Sequence, residues 1–449
     1  MKYNKLEIVS RNIYKTFFKF TLPNMAGLIA MSSVALVDGY FVSNYVSSVA
    51  LAAVNIIIPL ITIIFGISIM LTIGAAVLIG TYLGEGKTDK ASAVFTKVMI
   101  TITFISLLFT LICYIFSEEV SFLLGANEEI IVYAVPYLKM ISLFFLFQSL
   151  EYSLSVMIRT DGNPYLASAA VMVGAVINFI LDYIFIVKMN MGITGAALGT
   201  GISFMTSTFL ILFHFFLKKG RLYITSKIGS FKEIIYAAYN GSSELLSEAS
   251  VAVVAYLFNN IMVQNMGTYG VEAFTVINYS LWAVNMLCYS VGDSLVPLIS
   301  TNYGALKYTR IVKILSLSRI SVLTIGITAF ALFTFIPEKI IASLLNPESN
   351  QDAFNTALIF ASYVKYAFLF TGLNIIFSSS FTAFQKPLHS VIVALSRGLI
   401  LPVVFIFIMP YFLSEKGLYM AVPLAETFTL FLGLILWKKD SVIQKVMGK

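Results

Sequence analysis

The chain has 449 residues, of which 59% are apolar and only 11% are charged, and its mean hydropathy is +0.91. Soluble domains are about half apolar and a quarter charged, so water cannot be the solvent for most of this surface. The net charge of +7 does not indicate a nucleic-acid partner, because the basic residues lie at the ends of apolar stretches, as they do in membrane proteins. The composition therefore predicts an integral membrane protein.

Twelve stretches of the chain are long and apolar enough to cross a bilayer, for which about 20 residues are needed. The first of them is too long for a signal-peptide core and lacks a small-residue cleavage site, so it is expected to stay as a membrane helix. The predicted spans are 17–44, 50–82, 93–117, 130–158, 165–187, 192–217, 233–264, 270–302, 311–335, 352–384, 387–410 and 414–437. The predicted fold class is an all-α integral membrane protein.

The basic residues predict the orientation, since cytoplasmic loops retain Lys and Arg. With the N-terminus inside, one side of the membrane holds Lys2, Lys5, Arg11, Lys15, Lys87, Lys90, Lys97, Arg159, Lys218, Lys219, Arg221, Lys227, Lys232, Lys307, Arg310, Lys313, Lys386, Lys438, Lys439, Lys445 and Lys449. The opposite side holds only Lys188, Lys339 and Lys416. We therefore predict a multi-pass protein of the cell membrane with both termini in the cytoplasm.

The two halves of the chain show a weak internal repeat, as many transporters do. The pairs aligned at an offset of 220 residues include Thr81 with Thr301, Gly84 with Gly304, and Lys87 with Lys307. Six spans per repeat is an even number, so the halves should have the same orientation and be related by a pseudo-two-fold axis along the membrane normal. This predicts an N-lobe at 1–217, a cytoplasmic linker at 218–232 and a C-lobe at 233–449.

Among the polar residues within the predicted spans of the N-lobe, four are candidates for one site: Asp38, Asn178, Asp182 and Thr200. A charge in hydrocarbon costs about 3 kcal/mol even on mild insertion scales, so such residues suggest a function. Asn178 and Asp182 are four residues apart and share one helix face. The helical rise places Asp38, Asp182 and Thr200 at about 9 to 12 Å from the external helix ends. We therefore expect them to converge in the outer half of the N-lobe.

Two kinds of chemistry fit this set of residues. Carboxylate, amide and hydroxyl oxygens are hard ligands that suit a hard cation such as Na⁺, and two neighbouring acids can equally share a proton. The alternative is that Asp38 and Asp182 are separately buried neutral acids, each hydrogen-bonded to a neighbouring helix.

The C-lobe carries charges of both signs within its spans, at Glu248, Asp293, Lys365, Arg397 and Glu426. The helical rise puts Asp293, Arg397 and Glu426 at about 14 to 18 Å from the cytoplasmic ends of their helices. This set is either an internal salt-bridge network or part of a substrate cavity. Glu248 is favoured as a cavity residue, with Asp293 as a second candidate, because Glu248 has no obvious basic neighbour. Two further acids, nearer the predicted helix ends, are Glu151 and Glu244.

The rest of the sequence carries no pattern typical of an enzyme or an ATP-driven pump. The soluble segments contain no Walker loop, dinucleotide fingerprint or nucleophile elbow. Cys113 and Cys288 lie far apart in apolar runs, which gives neither a disulfide framework nor metal-ligand spacing. We therefore expect no catalytic residue and no cofactor other than a coupling ion, Na⁺ or H⁺.

Seven short motifs follow one another along the chain. They are VDGYFV at 37–42 in the span opened by Pro23, LAAVN at 51–55, GTYLGEGK at 80–87, RTDGNP at 159–164, NFILD at 178–182, GITGAALGT at 192–200 and PLISTNYGA at 297–305. By their order and placement the sequence resembles the multidrug and toxic compound extrusion (MATE) family, especially its bacterial and archaeal branch. The resemblance covers nearly the whole chain.

The resemblance implies two six-helix lobes around a V-shaped cavity, and drug export by alternating access that is driven by cation influx. The residues implied for the cation site are Asp38, Asn178, Asp182, Thr200 and, through its backbone carbonyl, Ala196. Glu248 resembles the acid of the seventh span in this branch. Asp293 departs from the family pattern, which has Gln or Glu at that position.

The predicted function is a cation-coupled antiporter that exports small, often cationic, amphiphilic drugs. The implied partners are the small-molecule substrate and the lipid bilayer, and the protein is expected to work as a monomer. We favour sodium over protons, because an amide and a hydroxyl add coordination that a proton does not need. The alternative is a flippase for lipid-linked precursors, but a flippase needs an excess of cationic residues to bind a pyrophosphate.

Overall fold

The computed structural model describes residues 7–217, 220–348 and 350–448, and these ranges are almost entirely helical, without a strand. Five residues used for the topology prediction, Lys2, Lys5, Lys218, Lys219 and Lys449, lie outside the described residues, as do the first two positions of the predicted linker. The all-α fold class predicted from the sequence is confirmed.

The α-helices of the described ranges are α1 (Glu7–Ser10), α2 (Ile13–Tyr45), α3 (Ser48–Gly84), α4 (Thr88–Ile115), α5 (Ser117–Leu123), α6 (Glu128–Ser142), α7 (Phe145–Thr160), α8 (Pro164–Asp182), α9 (Gly192–Phe216), α10 (Lys232–Gly304), α11 (Tyr308–Phe335), α12 (Pro337–Ala342), α13 (Gln351–Val364), α14 (Phe368–Ala383), α15 (Pro387–Leu395), α16 (Leu401–Leu413), α17 (Glu415–Lys439) and α18 (Ser441–Val446). Short π-helical segments occupy Tyr183–Lys188 and Ser396–Ile400, and a 3₁₀ turn at Lys365–Ala367 joins α13 to α14.

Polar side chains define where several of these helices begin. The side-chain oxygens of Ser47, Asn127 and Asn350 accept the backbone N–H three residues further on, at 3.0, 2.9 and 3.1 Å. Each bond satisfies one of the donors that the first turn of a helix leaves free. These three bonds cap α3, α6 and α13. The caps at Asn127 and Asn350 start equivalent helices of the two halves.

The number of membrane spans depends on how α10 is divided. Ten helical stretches of the described chain are long and apolar enough to cross a membrane, and α6 with α7 adds one more if that pair, bent by 50°, is a single span. Helix α10 has 73 residues and would be about 110 Å long if it were straight, several times the thickness of the hydrocarbon. It is interrupted at Gly267, where φ is 70° and ψ is −154°. Division at this glycine brings the number to the predicted twelve.

The chain forms two compact units. Unit 1 runs from the N-terminus to Gly241 and includes Ser300–Leu306, and unit 2 contains Ser242–Ile299 and the residues from Lys307 onward. Both ends of α10 therefore belong to unit 1. The division into lobes at 1–217 and 233–449 with a linker at 218–232 stays a prediction.

The described part of the linker segment is attached to α4 by hydrogen bonds. The backbone N–H of Thr225 donates to Thr96 Oγ1 at 3.1 Å, and Nζ of the buried Lys97 donates to the carbonyl of Ser230 at 2.8 Å. Lys97 also forms an ion pair with Glu233 at the start of α10. These contacts explain why the segment is part of unit 1.

Equivalent turns in the two halves adopt the same backbone conformation. After α3 the left-handed residue is Gly86, with φ 79°, and 220 residues later, after α10, it is Leu306, with φ 56°. After α7 it is Gly162, with φ 101°, and 223 residues later, after α14, it is Gln385, with φ 59°. The following helices α4 and α11 each have 28 residues. The internal repeat proposed from the sequence is thus visible in the backbone of these turns.

Replacing Leu306 with glycine should stabilise the protein. The side chain is 70% exposed, so little packing is lost. The left-handed conformation costs an L-residue about 1–2 kcal/mol, whereas the extra backbone entropy of glycine costs about 0.5–1 kcal/mol. We expect Leu306→Gly to raise the free energy of unfolding by roughly 0.5–1 kcal/mol, measured as a higher Tm of the purified protein.

Two further variants control this experiment. Gly86→Leu should lower the Tm through backbone strain alone, because a Cβ at Gly86 would meet no atom within 4 Å. Leu388→Gly, at an exposed position in the right-handed helix α15, should lower the free energy of unfolding by about 1 kcal/mol. A fall in Tm for Leu306→Gly as large as that for Leu388→Gly would contradict the prediction.

Candidate functional site

Three helices of unit 1 contribute one side chain each to a hydrogen-bonded cluster. Nδ2 of Asn178, on α8, donates to Oδ1 of Asp38, on α2, at 3.0 Å, and to Oγ1 of Thr200, on α9, at 3.3 Å. Oγ1 of Thr200 donates to Oδ2 of Asp38 at 2.8 Å. Both oxygens of the Asp38 carboxylate therefore accept a hydrogen bond, each from a different helix.

Asp182 lies beside this cluster and receives no such bond. Its side chain is fully buried, and neither of its carboxylate oxygens has a hydrogen-bond partner among the described residues. Oδ1 of Asn178 also lacks a partner there. Asp182 is close enough to Asp38 for the two carboxyl groups to interact electrostatically. Two ionised carboxylates so placed repel each other, so a shared proton or a bound cation would complete the arrangement.

The local sequence explains how α8 and α9 position these groups. Helix α8 begins at Pro164, whose fixed φ suits the first helical position, and ends at Asp182, directly before a π-helical segment. Such segments are frequent at functional sites. On α9, a Cβ at Gly199 would lie 2.5 Å from Oδ1 of Asp182, closer than real Cβ atoms approach another atom. Gly199 therefore leaves the space that the Asp182 carboxylate occupies.

Two other residues lie near the cluster. Ala196 is buried on α9, four residues before Thr200 and on the same face of the helix, while the role of its carbonyl in binding a cation stays a prediction. Tyr137, on α6, is 7% exposed and lies within electrostatic range of Asp38 and Asp182. The sequence analysis did not single out Tyr137, because nothing in its apolar surroundings indicates a polar neighbour.

Unit 2 contains an acidic region, formed by Glu244, Glu248 and Asp293. The carboxylate of Glu244 interacts electrostatically with those of Glu248 and Asp293, and Glu248 interacts with Asp293. All three are partly exposed. Glu248 and Asp293 are the cavity candidates that the sequence predicts, whereas Glu244 lies nearer a predicted helix end. Glu244 joins them because it lies one helical turn before Glu248.

Arg397 and Glu426 form a separate, internally neutral pair in unit 2. Their Nη2 and Oε1 atoms are 2.9 Å apart, Nη1 of Arg397 donates to the hydroxyl of Tyr289 at 3.0 Å, and Nδ2 of Asn374 donates to Oε2 of Glu426 at 2.6 Å. Of the two sequence interpretations, the salt-bridge network fits these two residues. Lys365 is elsewhere, with its ammonium over two aromatic rings at 5.6 and 5.7 Å from their centroids.

The chain is similar to known multidrug export proteins. Residues 23–184 match the MatE family. Multidrug export protein MepA of Staphylococcus aureus (strain MSSA476) is 23% identical over 416 residues, which cover 88% of this chain and 87% of that protein. MepA of Staphylococcus saprophyticus is 22% identical over 419 residues, which cover 93% and 91%. The protein is therefore similar in sequence to the MATE family.

Solved structures show that the MATE fold extends over the whole chain. An outward-facing multidrug resistance MATE transporter of the MOP superfamily has a TM-score of 0.91 at 19% identity and covers 99% of both chains. A MOP superfamily transporter from Pyrococcus furiosus, whose binding pocket is described as having reverse polarity, has a TM-score of 0.91 at 18% identity and covers 100% of both. The family resemblance found in the sequence motifs is thus confirmed.

The close approach of α9 to Asp182 can be tested at Gly199. Gly199→Ala should force the carboxylate or the helix to move and lower the free energy of unfolding by about 1–3 kcal/mol, the usual cost of overpacking. The matched control is Gly39→Ala, next to Asp38, where the nearest atom to a new Cβ is Cδ1 of Leu51 at 3.9 Å. Thermal unfolding of the purified proteins measures both changes. Equal Tm values for the two variants would contradict the close approach.

Proposed function

We propose that this protein is a cation-coupled antiporter of the MATE family that exports small, often cationic, amphiphilic compounds by alternating access. The observation that carries the proposal is the unequal pair in unit 1, where Asp38 is hydrogen-bonded through both oxygens and Asp182 through neither. Binding of one cation or proton changes the net charge of this pair. An uncompensated charge is costly in a membrane. Binding or release of the ion can therefore shift the equilibrium between two arrangements of the helices that carry the pair.

Sodium fits this site better than a proton. A proton shared by Asp38 and Asp182 would join the two carboxyl groups but leave the buried Oδ1 of Asn178 without a partner. A hard cation accepts lone pairs from carboxylate and amide oxygens alike. The backbone carbonyl of Ala196 is the further ligand in this proposal.

Coupling follows from the change in repulsion between the two carboxylates. With the cation bound, α2, α8 and α9 can approach one another around Asp38 and Asp182, and after its release the carboxylates separate or take up protons. Pro23 lies inside α2, where it removes a backbone hydrogen bond and provides a point at which the helix can bend. The ion shifts this equilibrium only as far as its affinities for the two states differ.

The acidic region of unit 2 supports cations as the substrate class. Glu244, Glu248 and Asp293 place three acidic side chains at partly exposed positions, while the positive charge of Arg397 is matched by Glu426. This balance favours an organic cation over the pyrophosphate of a lipid-linked precursor. The relatives named MepA are multidrug export proteins, which agrees with export. The transporter would act as a monomer in the cell membrane, with both termini in the cytoplasm.

Removing either carboxylate of the pair should separate drug binding from transport. In proteoliposomes, Asp38→Asn and Asp182→Asn should lose most of the export driven by a sodium gradient, because the site no longer changes charge as the wild type does. Binding of a fluorescent organic cation to the same purified variants should be partly retained. Asp352→Asn, at an exposed position on α13, is the control and should transport normally.

The same assay decides between the two coupling ions. Export that survives in both Asp38→Asn and Asp182→Asn would remove this pair from the mechanism. Full wild-type export driven by a proton gradient in the absence of sodium would overturn the preference for sodium.

Charge in the acidic region should determine which compounds bind. A carboxylate about 4 Å from a bound cation contributes about 1 kcal/mol in bulk water and about 4 kcal/mol at an effective dielectric constant of about 20, so Glu248→Gln should weaken binding of cationic compounds by at least about fivefold. Neutral compounds of similar size should bind as before. Glu128→Gln, at an exposed position on α6, is the control. Equal losses for cationic and neutral compounds would assign Glu248 a structural role.

A further inference from the structure

A cavity in unit 2 combines an apolar lining with basic side chains. Its volume is about 400 Å³, and it lies among α11, α14, α17 and α18. Leu373, Phe377, Leu430 and Leu434 supply the apolar part of the lining, and Leu434 is 40% exposed. Arg319 and Lys438 supply the basic part. The cavity is separate from the acidic region and from the Arg397–Glu426 pair, which do not contribute to its lining.

Arg319 is held in this cavity without a negative partner. Its guanidinium lies over the ring of Trp437, 5.4 Å from the ring centroid. In the part of the chain that the structure describes, Arg319 forms neither a hydrogen bond nor an ion pair. It lies eleven residues after the first residue of α11, about 16 Å along that helix, where an uncompensated charge is unfavourable. An anion from outside the chain would compensate it.

The nearest acid in sequence to the lining residues is already engaged. Asp440 pairs with Lys386 at 3.2 Å and with His389 at 3.3 Å, and its Oδ1 accepts the backbone N–H groups that begin α18 at 3.0 Å. Gln444 of α18 donates to the carbonyl of Trp437 at 2.9 Å. The cavity wall is therefore held in place by α18, while its positive charges remain free to attract an anion.

The geometry points to a binding site for an anionic phospholipid of the surrounding bilayer. The phosphate would lie against Arg319 and Lys438, and the acyl chains would cover the leucines and Phe377. Lys439 and Lys445, which flank the same helix end, add to the attraction for an anionic headgroup. A free phosphate would satisfy only the basic side chains, and a neutral lipid only the apolar lining.

Trp437 can report on this site, because the chain has only two tryptophans and Trp437 lines the cavity. In the Trp282→Phe protein, reconstituted in phosphatidylcholine nanodiscs, brominated phosphatidylglycerol should quench Trp437 at about fivefold lower mole fraction than brominated phosphatidylcholine, the factor expected for one cation beside an anionic headgroup. In the Trp437→Phe protein, Trp282 should be quenched equally by both lipids. Added inorganic phosphate should not relieve the quenching.

Substitutions of the basic residues test the role of Arg319. Arg319→Gln in the Trp282→Phe protein should remove most of the preference for phosphatidylglycerol, leaving only what Lys438 and its neighbouring lysines contribute, whereas Lys313→Gln, an exposed position on the same helix outside the cavity, should retain all of it. Arg319→Lys should retain more of it than Arg319→Gln, and serves as the variant to compare if Arg319→Gln does not fold. Equal quenching by both lipids in the parent protein, relief by inorganic phosphate, or a preference in Arg319→Gln as strong as in its parent would each overturn the proposal.

Discussion

Two carboxylates buried side by side in a membrane protein are unfavourable unless donors or a positive charge accompany them. Unit 1 provides donors for Asp38, from Asn178 and Thr200, and provides none for Asp182. Helices α2, α8 and α9 contact one another, and Gly199 lets the Asp182 carboxylate fit between α8 and α9. A change in the charge of this pair acts at the point where the three helices meet, which makes the pair a suitable place to couple ion binding to helix movement.

Equivalent turns of the two halves share a backbone conformation, while the buried charges of the halves differ. The turns at Gly86 and Leu306 share a left-handed residue, although only one of them has the glycine that this conformation favours. The backbone path of such a turn depends on the two helices that it joins, so it can be kept when the residue changes. Side chains are less constrained, and unit 2 has an internally neutral pair at Arg397 and Glu426 in addition to its acidic region.

Features of the fold could be predicted from the sequence where they depend on a property of a single segment, such as its hydropathy. Hydropathy located the spans, and the turn between the seventh and eighth spans was placed around Gly267, where α10 is interrupted. Helical rise placed Asp38, Asp182 and Thr200 at one depth, and in the structure Thr200 donates to Asp38 while Asp182 lies beside them. The bend between α6 and α7, the proximity of Tyr137 and the lack of a donor for Asp182 were not predictable, because they depend on how different helices pack.

Among the buried charges of this chain, some are neutralised by a side chain of opposite charge, and others have no such partner among the described residues. Arg397 is matched within the protein by Glu426, so the pair holds helices together and needs nothing from outside. Asp182 and Arg319 have no such partner among the described residues, apart from the ring of Trp437 over which Arg319 lies. Because an uncompensated charge is costly in a membrane, the two proposals made above assign each residue of the second group a partner from outside the chain: a small cation at Asp182 and an anionic headgroup at Arg319. In both proposals, the absence of an internal counter-charge is the feature that distinguishes a binding residue from a structural one.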